Sequence, residues 1–275
     1  MKLSKKYFED IVSPNLSIAG NGNFKKYFNN KNSSVILTEY NDCDISYNFN
    51  KHGYRSDDFL KENTATLYAG CSHTFGLGLP IELVWSYMLK TELGEQGYKN
   101  IGVPGASFSS IIDNIHSYIR EFGKPEKLFV LFPNIERFES VRESEGIIYL
   151  DHILYQHKST ESENIIANAV SEDYMLTLFI RSVRSLEAFC EASNINLYWA
   201  TWDVGLNKTL RGVQGLKNYV SIFEGNNSPN FLDWVLKHGD KKHKYWLKAA
   251  DGHPGLRDHM LYVRAFLDAY KNSAA

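Results

Sequence analysis

"YAGCSHTFGLG", residues 68–78, joins a short apolar run to a glycine-rich turn. Thr64–Ala69 is apolar and stops at Gly70, the pattern of a buried strand. Cys71, Ser72 and His73 follow at once, then Gly76 and Gly78. Three reactive side chains at a strand-to-helix turn pose the question of which one does chemistry. The pair Gly76-x-Gly78 lacks the third glycine of a dinucleotide loop, so no bound cofactor is expected.

Working outward, the chain alternates. Glu82–Leu93 has helical spacing, with apolar residues at 84, 85, 88, 89 and 93. Lys99–Val103 predicts a second strand, closed by Pro104 and Gly105. Ser109–Glu121 predicts a helix ended by Gly123 and Pro125. Lys127–Phe132 is a third strand, stopped by Pro133. Asp173–Ala192 predicts a long helix, Ile195–Thr201 a fourth strand and Arg257–Tyr270 a final helix. Two stretches break the rhythm and read as inserts, 140–165 and 204–250. The first holds a strand or hairpin at Gly146–Leu154. The second is mostly irregular, with a helical piece at Phe231–Lys237. Residues 1–60 form an N-terminal extension with short strands at Ser34–Thr38 and Asp44–Tyr47. Residues 61–275 form the main domain.

Short apolar strands alternating with helices imply an α/β fold with a parallel sheet. Such sheets place their sites beyond the carboxyl ends of the strands. Ser72, Gly105, Asn134 and Asp203 each follow a strand and converge on that edge.

Composition narrows the function. The formal net charge is −2, from 30 basic and 32 acidic residues, which argues against nucleic acid as a partner. The three cysteines, Cys43, Cys71 and Cys190, are too few and odd in number for a disulfide framework. The N-terminal residues show no apolar signal-peptide core, and no run reaches the roughly 20 residues of a membrane span. The expected location is cytoplasmic. Asp151, His152 and His157 lack ligand spacing on a defined helix, so no metal is expected.

A serine hydroxyl needs a base to become a nucleophile. "ADGHPG", residues 250–255, supplies His253. Pro254 biases His253 toward extended backbone, which puts Asp251 and His253 on one face. Asp251 can then orient the imidazole. Oxyanion donors are available from the backbone N–H of Ser72, the backbone N–H of Gly105 and the side-chain amide of Asn134. Other roles compete. Ser72 could cap a helix, Asn134 could be a turn residue, and His253 could be a surface histidine. Cys71 alternates to the opposite side from Ser72 and reads as core. His73 reads as a helix-start or pocket-lining residue, and His259 as packing.

These pieces resemble the SGNH hydrolases, also called GDSL esterases/lipases. Gly70-Cys71-Ser72-His73-Thr74 matches the nucleophile block, Asn100 through Gly105 the second block, Phe132-Pro133-Asn134 the third, and Asp251-Gly252-His253-Pro254 the last. The resemblance covers about residues 65–270. It implies a three-layer α/β/α sandwich, flavodoxin-like, without cofactor or metal. It implies a serine esterase acting on a small-molecule or glycan ester, with a short acyl group, through an acyl-enzyme. The same residues could serve an acyltransferase, or the fold could persist in a non-catalytic, virion-associated binding module. The chain departs from the pattern at three points. Cys71 replaces an aspartate, Phe132 replaces a glycine, and Asp251 stands two residues before His253 rather than three.

Overall fold

The computed structural model describes residues 34–37, 45–60, 66–144, 147–154, 171–222, 246 and 253–273. Cys43, Asp251 and the helical piece expected at 231–237 lie outside the described residues, as does the 155–165 part of the first insert.

The central sheet is built from β3 (Thr66–Gly70), β4 (Lys127–Phe132) and β7 (Asn196–Thr201). All pair in parallel, with Gly70 opposite Leu131 and Leu131 opposite Ala200. Two further segments extend it by single parallel bridges. Asn100 bridges to Tyr68 on one edge and Tyr219 to Trp199 on the other. The expected strand at 99–103 is therefore real but minimal; its amides at Ile101 and Val103 donate to Tyr68 and Gly70. Across the sheet the order in chain terms is 2-1-3-4-5. This is the doubly wound order of flavodoxin-like folds.

Strand side chains alternate, so each strand is buried on both faces. Leu67, Ala69, Leu128, Val130, Phe132, Leu197 and Trp199 enter one core. That core is covered by α3 (Phe108–Phe122), α4 (Glu172–Ala192) and α5 (Val204–Leu210). Tyr68, Phe129, Leu131 and Ala200 enter the other. It is covered by α2 (Trp85–Glu92) and α6 (Leu256–Ser273). Three layers result, as the alternating pattern implies. Helix α5 falls where the sequence predicts mostly irregular chain. Its start is fixed by Asp203, whose Oδ1 accepts the Leu206 N–H at 2.6 Å. Such a cap is a local contact that weak periodicity over seven residues does not reveal.

The first insert is a hairpin of β5 (Arg137–Ser144) and β6 (Ile147–Leu154), antiparallel and fully paired. A second small antiparallel pair, β1 (Ser34–Leu37) with β2 (Ile45–Asn48), matches the expected early strands. The segment after β2 is packed into the domain. Tyr54 and Phe59 lie in one core, Tyr47 and Phe49 in the other. Arg55 is 1% exposed and donates to the carbonyls of Ser46, Phe75, Gly76 and Leu79. It thereby clamps the loop that follows Ser72.

Candidate active site

Strand β3 ends at Gly70, and α1 (Ser72–Phe75) begins two residues later with Cys71 as its N-cap. The turn is tight because Gly70 has no side chain. A Cβ there would meet the Leu131 carbonyl oxygen at 2.7 Å and Thr74 Oγ1 at 2.0 Å. A second brace comes from the 100–105 block. Asn100 Nδ2 donates to the Thr74 carbonyl at 2.7 Å, and Asn100 Oδ1 accepts the Gly102 N–H at 2.7 Å. Gly102 itself lies so close that a Cβ would fall 2.6 Å from the Phe75 nitrogen. Asn100 thus holds the turn that carries Ser72, a role sequence reasoning did not assign to it.

The strands β3 and β4 connect to opposite sides of the sheet, so the crevice beyond their carboxyl ends is the switch point of the fold. Ser72 follows β3 and Asn134 follows β4. Gly105, with φ of 81°, follows the 99–103 segment. These three candidates therefore share one edge, as expected. Asp203 also lies at this edge, where its carboxylate caps α5.

Each side chain has a definite setting. Ser72 is 3% exposed, and its Oγ lies 4.0 Å from Cys71 Sγ. Cys71 is fully buried in the α3–α4 core, consistent with its reading as core. Its sulfur accepts the Trp202 indole N–H at 3.3 Å. Asn134 is half-buried; its Nδ2 donates to Glu136 Oε2 at 3.4 Å, and its Oδ1 is buried without a partner. The amide nitrogen carries a second N–H that can serve an oxyanion.

Three histidines meet behind the turn. His73 stacks on Trp202, centroids 4.5 Å apart, and its Nδ1 lies 3.3 Å from the Tyr262 hydroxyl. The ring of His253 lies 6.1 Å from that of His73 at 79°. A residue near the C-terminus is thus brought against the neighbour of Ser72. His259, one turn into α6, lies 6.5 Å from His73. Burial pushes the His73 pKa well below its ordinary value, aided by His259, His253 and Arg137. Burial, with His253 nearby, pushes His259 down to about 3. Burial likewise raises the Tyr262 phenol, which stays protonated and can donate to a neutral His73. His73 and His259 are therefore uncharged near neutrality. Both are buried against the turn, in keeping with the packing and pocket-lining roles read for His259 and His73.

Trp202, Tyr262 and Arg137 were missed by sequence reasoning. Trp202 stands two residues before helix α5 begins, immediately before Asp203, and the pattern of strand then acid drew attention to the acid alone. Among the described residues no group of three or more His, Cys, Asp or Glu side chains could hold a metal. No described helix is long and apolar enough to cross a membrane.

Neither a protein-family profile nor a curated protein matches the sequence. Among solved structures, the chain is similar to a member of the lipolytic protein G-D-S-L family from Veillonella parvula, at 12% identity and a TM-score of 0.43. That likeness covers 75% of this chain and 97% of the other. It is also similar to a protein of the G-D-S-L family from Desulfitobacterium hafniense, at 12% identity and a TM-score of 0.41, covering 75% and 99%. Both carry the family name that the four sequence blocks resemble.

Proposed function

We propose that the chain is a serine ester hydrolase of SGNH type. Ser72 Oγ attacks the ester carbonyl while His253 takes its proton. The bond to the alcohol breaks, and His253 returns the proton to the leaving alkoxide. Water, deprotonated by His253, then releases the acid from Ser72. Asp251 orients His253 and stabilises its charged form. The N–H groups of Ser72 and Gly105, with the Asn134 amide, hold the oxyanion. The observation that carries this reading is the gathering of Ser72, Gly105 and Asn134 at one switch point, with His253 beside the Ser72 turn.

A fluorophosphonate probe tests it. Wild type should be labelled at Ser72, with none on Ser72→Ala. A panel of p-nitrophenyl esters from acetate to laurate then defines the acyl group, and an assay with sugar hydroxyls as acceptors separates hydrolase from acyltransferase.

One observation favours a second reading. Ser72 is 3% exposed, so little of it is open to a substrate. A binding module that retains the fold would leave the serine closed and the probe unreacted.

A further inference from the structure

Arg137 opens β5, three residues beyond Asn134. Its Nε and Nη1 are buried and have no hydrogen-bond partner among the described residues. Its guanidinium carbon lies 5.6 Å from the centroid of the Trp202 ring. Trp202 in turn stacks on His73 and bonds to Cys71, the two residues that flank Ser72. A cation is therefore held against the wall of the candidate site, and its charge contributes to keeping His73 neutral.

Burying such donors unpaired is unfavourable, by about 1–3 kcal/mol for a neutral group and more for a charged one. Among the described residues no carboxylate bonds these two nitrogens. Glu136 accepts the Asn134 amide, and Asp203 caps α5. The stacked Trp202 face supports the guanidinium plane but bonds none of its in-plane N–H groups. Unmatched guanidinium N–H groups are strong donors to a carboxylate or phosphate oxygen.

We propose that Arg137, backed by Trp202, is the subsite for an anionic group on the ligand, a carboxylate or a phosphate. The esters turned over at Ser72 are then acidic rather than neutral. The catalytic part rests on the hydrolase reading above; the binding part does not.

Calorimetric titration of the full chain with phenyl phosphate, benzoate and benzyl alcohol tests the subsite. Wild type is expected to bind at least one anion at least tenfold more tightly than the alcohol, and the anion that binds identifies the group. Arg137→Gln should erase that preference, and Arg137→Lys should keep part of it. Equal binding of all three by wild type overturns the proposal, and so does a preference that survives in Arg137→Gln. Should that variant fail to fold, the wild-type comparison and Arg137→Lys still decide. In turnover, the kcat/KM ratio of 4-carboxyphenyl acetate or 4-(phosphonooxy)phenyl acetate to phenyl acetate should fall at least tenfold in Arg137→Gln. If no ester is cleaved, the hydrolase reading fails, and the titrations still judge the anion subsite.

Discussion

His259 accepts the backbone N–H of Trp85 at its Nδ1, 3.0 Å away, and ties α6 to the first residue of α2. The bond requires a ring nitrogen without a proton, so a charged imidazole breaks it. Burial pushes the His259 pKa down to about 3, below the ordinary value of 6.5. The unfolded chain therefore takes up this proton at a higher pH than the folded one. The stability it contributes is complete above pH ~6.5 and is lost as pH falls toward ~3. From pH 7 to pH 5 the expected loss is about 2 kcal/mol from His259 alone. His73, shifted the same way, adds to it. Urea denaturation at the two pH values measures the loss. His259→Asn keeps an acceptor for Trp85 and should flatten the dependence; an unchanged slope would remove His259 as its source.

Ser72→Ala should abolish ester hydrolysis, since loss of a triad nucleophile costs on the order of 10⁶-fold in kcat. Its thermal stability should stay near wild type, because the hydrogen bond its hydroxyl makes among the described residues is a long one, to Cys71 Sγ at 4.0 Å. If Ser72→Ala stays active while Cys71→Ala is dead, the nucleophile is Cys71.

Asn134→Ala should lower kcat by about 10²–10³-fold with little change in KM, the signature of a lost oxyanion donor. Its present bond to Glu136 is long, at 3.4 Å, so reorientation toward substrate costs little. Steady-state kinetics on an activated ester decide. An unchanged kcat would leave Asn134 as a turn residue.

Asp251→Asn tests the short spacing to His253. A neutral amide in this place can hold the wrong histidine tautomer, a loss of about 10⁴-fold in a triad. We expect that loss across pH 6–9, comparable to His253→Ala. Activity within threefold of wild type would instead indicate a Ser–His dyad.

Arg55→Met should destabilise the fold by about 3 kcal/mol or more, because it leaves buried carbonyls without donors. Four carbonyls, on Ser46, Phe75, Gly76 and Leu79, accept from this one side chain, and of them Gly76 also accepts the Leu79 N–H at 3.3 Å. Chemical denaturation reads the change. A loss below 1 kcal/mol would mean that water replaces the guanidinium in this clamp, as net hydrogen-bond contributions of about 1 kcal/mol allow.

The architecture was legible in the order of the residues. Strands β3, β4 and β7 are short apolar runs, the first two closed by Gly70 and Pro133, and helices α3, α4 and α6 carry apolar faces at helical spacing. Those signals are local, because burial on both faces of a parallel strand, or one face of a helix, writes itself into consecutive residues. The same rule put Ser72, Gly105 and Asn134 at one edge. Tertiary structure alone decided what surrounds them. Trp202 against His73, Tyr262 against His73, Asn100 beneath Thr74 and Arg137 over Trp202 join residues far apart in the chain. No spacing encodes such pairs. Each exists because the layers pack at a fixed distance and register, and a side chain's partner is whatever the facing layer brings to it.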